Sequence, residues 1–152
     1  MTNQKTLFLD FDGVLHPFPA TATERFMHVP RFEHVMGQFP DWQIVISSYW
    51  RRYESLQGHR ERFSAALAQR IVGVTPFCFD LQDISQEMRP FLGEVECLAW
   101  LDANGGREQT WLAVDDWPSL FTPDCPHLFL VDGITGLDDR QAELLAQRLR
   151  QY

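Results

Sequence analysis

The chain has 152 residues, 45% hydrophobic and 22% charged, which is ordinary globular usage and enough for one domain burying roughly 70% of its unfolded surface. With 13 Lys and Arg against 21 Asp and Glu, the formal charge is −8, which opposes non-specific nucleic-acid binding because that relies on a basic surface. No apolar run approaches the roughly 20 residues of a membrane span, and MTNQKTLFLDFDG leads directly into a strand pattern, leaving no room for a secretory leader.

Cys78, Cys97 and Cys125 are odd in number, scattered, and without a partner at metal spacing. Free thiols and a cytoplasmic location are expected. Lys5 is the only lysine, so any cation in an anion site falls to arginine.

In chain order, LFLDFDGVL opens the pattern: an apolar run, then Asp10 and Asp12 one residue apart, then Gly13. Residues two apart on a strand share a face. Two carboxylates converging at a strand end repel each other, and a hydrated divalent cation relieves that repulsion. Five runs read as strands: Thr6–Phe11, Trp42–Ser47, Ile71–Thr75, Trp111–Asp115 and Leu128–Val131. They are short and continuously apolar, as in a parallel sheet covered on both faces.

Helical patterns fall between them. Pro30–Phe39 places Phe32, Val35, Met36 and Phe39 on one face, and Arg60–Arg70 does the same with Phe63, Ala66 and Leu67. Pro90 suits a first helical position ahead of a stripe of Phe91, Val95, Leu98 and Leu101. Asp138 and Gln141 resemble a capping box before Leu145 and Leu149. The alternation predicts a single α/β domain over residues 1–152, with three layers and a mostly parallel five-stranded sheet. His16–Pro30 is the longest irregular stretch, a candidate flap.

In such sheets ligands gather beyond the carboxyl ends of the strands. The first strand delivers Asp10 and Asp12, the second Ser47 and Ser48, and the fourth Asp115 and Asp116. Arg89 stands at the entry of the helix predicted from Pro90, within reach of the same edge.

These four motifs, in this order across residues 10 to 116, resemble the haloacid dehalogenase (HAD) superfamily. LFLDFDGVLHP, VISSYWR, the arginine followed by EVECLAWL, and WLAVDD look like its small bacterial domains, some of them linked to RNA repair. The resemblance implies a Rossmann-like core and a magnesium-dependent phosphohydrolase. It gives Asp10 as nucleophile and Asp12 as acid and base. Magnesium would lie on the Asp10 carboxylate, the Asp12 carbonyl and Asp115, with Asp116 binding through water or orienting Asp115. Ser47 would hold a phosphoryl oxygen, with Ser48 as the register alternative, and Arg89 would neutralise charge.

Each residue has a plainer reading. Ser47 could cap the next helix, Arg89 could pair on the surface, and Asp116 could simply end its strand. Arg51 and Arg52 lie beyond the second strand, as substrate phosphate grips or as solvated charges. Of five histidines only His16 follows closely on the Asp motif, and Asp132 reads as a turn residue. The tryptophans read as core or flap and not as a base-stacking platform.

The intervals between motifs are too short for a folded cap. An open site suits a phosphorylated macromolecule end, and a small phosphorylated metabolite under the His16–Pro30 flap is the other choice. A polynucleotide end-processing phosphatase and a non-catalytic phosphate-binding module are the alternative functions.

Overall fold

The computed structural model describes residues 4–152. Its centre is a five-stranded sheet of β1 (Lys5–Leu9), β2 (Trp42–Ile46), β3 (Ile71–Val74), β4 (Thr110–Asp115) and β5 (Leu128–Leu130), in the order β3-β2-β1-β4-β5. Every pairing is parallel. The helices are α1 (Val29–Gly37), α2 (Leu56–Arg60), α3 (Ala65–Ala68), α4 (Leu92–Ala103) and α5 (Asp139–Leu149).

Side-chain alternation divides the core between the two faces of the sheet. Leu7, Leu9, Ile44, Ile46, Leu112 and Val114 join Phe32 and Met36 of α1 and Leu145 of α5 in one cluster. Phe8, Val45 and Ala113 face the other way, onto Cys97, Trp100 and Leu101 of α4. Trp100 and Trp111 meet Phe8 edge-on, with centroids 5.8 and 5.7 Å away, a favoured aromatic geometry. The result is the three-layer, Rossmann-like α/β core expected, with an all-parallel sheet and no folded cap.

Register sets the site. Leu9 lies beside Ile46 on one side and Val114 on the other. The next residue of each strand, Asp10, Ser47 and Asp115, therefore falls in one row. Backbone bonds continue past the strand ends, from Asp10 N–H to Val114 O (3.1 Å) and from Ser47 N–H to Leu9 O (2.9 Å).

Two helices differ from their patterns. The Arg60–Arg70 segment belongs to two short helices, because Ser55 and Ser64 each start one. Their hydroxyls accept from Gly58 N–H and Leu67 N–H respectively. Pro90 is not the first residue of α4. A turn spanning Ser85–Phe91 occupies it, with Arg89 N–H on Ser85 O and Phe91 N–H on Met88 O, so the helix starts at Leu92. Asp138 caps α5 as expected, accepting from Gln141 N–H at 2.9 Å. Among the described residues no helix is long and apolar enough to cross a membrane. The three cysteines are free, Cys97 buried and the other two half-buried.

Candidate active site

The ends of β1 and β4 bring Asp10, Asp115 and Asp116 together, with a ligand oxygen from each within 4.8 Å of the others. Gly13 (φ +75°) turns the chain away just past the pair. It also leaves room that a side chain would take: a methyl on Gly13 or Gly133 would run into Asp116 Oδ2. Asp10 Oδ1 accepts from Phe11 N–H at 2.8 Å, and Asp115 Oδ1 from Trp117 N–H at 3.0 Å.

Electrostatically the trio is under pressure. Burial pushes the Asp10 carboxyl well above its usual range, and the charges of Asp115 and Asp116 push it further. Burial carries Asp115 up to about 7 against the opposing Trp117 N–H, with Asp116 adding to the rise. Asp116 is raised by burial as well. Three carboxylates crowded this closely in a buried setting are a poor arrangement alone and a good one around a dication. The all-oxygen donor set fits a hard ion such as magnesium.

The Asp12 side chain is not part of that trio. Its Oδ1 accepts from His16 Nε2 (2.8 Å) and Trp50 Nε1 (3.0 Å). These bonds, His16 first, hold its carboxyl below the usual range against the opposing effect of burial. Asp12 nevertheless lines the same cavity as the trio, of about 390 Å³.

The two serines separate. Ser47 lines the cavity. Ser48 is 1% exposed and its hydroxyl accepts from Trp50 N–H, capping the 3₁₀ turn Tyr49–Arg52. The cap role considered for Ser47 thus belongs to Ser48, which is not presented to the cavity as a substrate ligand.

Arg51 reaches the cavity wall with no N–H to spare. Its five donors go to Thr75 O, Ser47 O, Ser48 O, Pro76 O and Glu96 Oε2, at 2.7 to 3.2 Å. With its side chain 3% exposed, it ties the loops after β2 and β3 to α4 instead of gripping a phosphate. Burial raises the carboxyl of Glu96, with Arg51 opposing. Arg89 also departs from expectation. It is exposed and lines a neighbouring cavity with Leu81, Asp83 and Ile84, so the acidic cavity lacks it.

Four exposed aromatics line this cavity, Phe18 (60%), Tyr49 (56%), Phe79 (64%) and Trp117 (61%). Of these the sequence singles out Trp117, as core or flap, and Phe18 only as part of the candidate flap. Of the tryptophans read as core or flap, Trp42, Trp100 and Trp111 are core residues and Trp117 is exposed. The irregular 16–30 stretch reaches the cavity through Phe18, while its His16 and His28 are buried. A chain-local signal existed for His16, four residues after Asp12. For Trp50 and Glu96 there was none.

Comparison with curated proteins and with solved structures gives no match. Against protein families, residues 6–142 match the model described as the HAD domain in Swiss Army Knife RNA repair proteins. That span runs from β1 into α5 and takes in the acidic trio, Asp12 and Ser47. The chain therefore belongs to the family of HAD domains found in Swiss Army Knife RNA repair proteins.

Proposed function

We propose that the chain is a magnesium-dependent phosphomonoesterase working through an aspartyl-phosphate. The observation that carries this reading is the convergence of Asp10, Asp115 and Asp116 at one sheet edge, with Asp12 lining the same cavity. The three carboxylates and the Asp12 main-chain carbonyl would hold the ion. When bound, it neutralises charge on the phosphoryl oxygens and the nucleophile.

An Asp10 oxygen attacks phosphorus while Asp12 gives a proton to the departing alcohol. Asp12 then takes a proton from the water that releases phosphate from Asp10. Ser47 donates its hydroxyl to a phosphoryl oxygen. Charge stabilisation of this kind matters because monoester hydrolysis is among the slowest uncatalysed reactions, with accelerations reaching about 10²¹-fold. The test is phosphate release from p-nitrophenyl phosphate with magnesium and with chelator. Turnover abolished by the chelator is expected, and no turnover under any condition would leave the phosphate-binding module as the reading.

One observation favours a nucleotide or nucleic-acid end as substrate. Phe77 and Phe79 stack at 5.0 Å and 13°, the Arg51 guanidinium lies 3.9 Å from the Phe77 ring, and Phe79 and Trp117 are open to solvent on the cavity. Such surfaces hold bases by stacking, worth about 1–3 kcal/mol per base. Short phosphorylated oligonucleotides would be preferred over sugar phosphates. Equal kcat/KM for both would remove this reading.

A further inference from the structure

The hydrogen bonds around Asp12 say which of its oxygens works. Both donors, His16 Nε2 and Trp50 Nε1, land on Oδ1, and Oδ2 has no hydrogen-bond partner among the described residues. Indole N–H can only donate. Imidazole could do either, but here its role is fixed: Phe26 main-chain N–H points at His16 Nδ1 from 3.1 Å. An N–H needs a lone pair, so Nδ1 is bare, and in the neutral ring the hydrogen sits on Nε2 and is donated to Asp12.

The surroundings keep that ring in place. His16 is 1% exposed. The Phe26 ring stands edge-on to it at 4.9 Å and to Trp50 at 5.1 Å, and the Arg62 guanidinium covers Phe26 at 4.2 Å. Phe26 has φ +59°, a left-handed conformation costly for a residue with a side chain. The bond from its N–H to His16 therefore belongs to a site that the surrounding packing maintains against local preference.

We propose that His16, its tautomer set by Phe26 N–H, is a positioning residue that together with Trp50 clamps Asp12 Oδ1 and leaves Oδ2 as the proton-carrying oxygen. This rests on the phosphomonoesterase reading. When Asp12 is protonated the proton sits on Oδ2, because both donors occupy Oδ1. As the bond from Asp10 to phosphorus forms and the ester P–O bond breaks, that proton passes to the leaving alkoxide oxygen. As water oxygen bonds phosphorus and the Asp10–phosphorus bond breaks, Oδ2 takes the proton that water gives up. Oδ2 is thereby reset for the next cycle.

Leaving groups separate this role from a merely structural one. A primary alcohol leaves only with a proton, whereas p-nitrophenolate leaves readily without one. Turnover of glycerol phosphate and of p-nitrophenyl phosphate, both with magnesium, is measured for the wild type, His16→Phe, His16→Gln and Trp50→Phe. His16→Phe lowers kcat/KM by about 10- to 100-fold on glycerol phosphate, part of what general acid catalysis contributes, and by less than about 3-fold on p-nitrophenyl phosphate. That ratio reports the steps up to departure of the leaving group and not the water attack common to both substrates. His16→Gln, which keeps a donor, recovers most of the loss, and Trp50→Phe shows a smaller form of the same selectivity.

Equal losses of kcat/KM on the two substrates, or a Gln variant as impaired as the Phe variant, overturn the positioning role while leaving the phosphatase reading intact. A wild type inactive on both substrates overturns both. If His16→Phe does not fold, imidazole nitrogen NMR of the wild type decides, with a bare Nδ1 and a protonated Nε2 expected. The opposite tautomer overturns the proposal.

Discussion

Gly13 and Asp116 occupy one space: the carboxylate of Asp116 sits where a side chain on Gly13 would begin. The glycine after the Asp pair thus has two duties, a left-handed turn and a berth for the third acid. Gly13→Ala should displace Asp116 and strain the turn by about 1–2 kcal/mol. Calorimetric titration with magnesium should show affinity reduced by about 10-fold or more, the range typical when a ligand's supports are removed. Unchanged affinity would mean that Asp116 takes no part in holding the ion.

The acidic trio also predicts how stability responds to pH. Folding raises these carboxyls above their unfolded values, Asp115 to about 7. The folded state binds more protons than the unfolded one between the ordinary carboxylate range and pH 7, so this contribution falls as pH rises through that window. Magnesium reverses the trend by binding the deprotonated form. The rise in melting temperature on adding magnesium should be larger at pH 8 than at pH 5, and Asp115→Asn should flatten the difference. An equal rise at both pH values would contradict a metal site at this cluster.

Arg51 is predicted to be a structural residue. Arg51→Ala strands four carbonyls and the Glu96 carboxylate, a loss of the order of 3–5 kcal/mol for a broken buried pair. For a chain of this length that lowers the melting temperature by about 10 °C. Arg51→Lys should rescue little, since an ammonium cannot reproduce the planar five-donor fork. A melting temperature unchanged in both variants would show the clamp to be dispensable.

Arg89→Ala should leave kcat/KM for p-nitrophenyl phosphate within about 3-fold of wild type, the result for a charge outside the transition-state contacts. A loss beyond about 10-fold would return Arg89 to the site by movement of the Ser85–Phe91 turn.

The fold was legible because its strands are short, continuously apolar and, up to the fourth, separated by helical patterns. Once they are taken as parallel, the register that aligns Asp10, Ser47 and Asp115 follows from where each apolar run stops. The fate of the arginines was not legible. Arg51 is claimed by carbonyls of two loops and by Glu96, forty-five positions on by subtraction of the residue numbers, a convergence no local pattern encodes. Arg89 is turned outward by a tight turn that a helix-start proline concealed. The aromatic rim was hidden for a different reason: Phe18, Phe79 and Trp117 have the composition of core residues, and only tertiary placement leaves them in water.

The most direct measurement is acid-quench mass spectrometry of the protein mixed with p-nitrophenyl phosphate and magnesium. The account predicts one phosphoryl group on the peptide containing Asp10, absent without magnesium and absent in Asp10→Asn, whose amide is no nucleophile. Turnover that continues in Asp10→Asn, or a phosphoryl group found on a different residue, would contradict it.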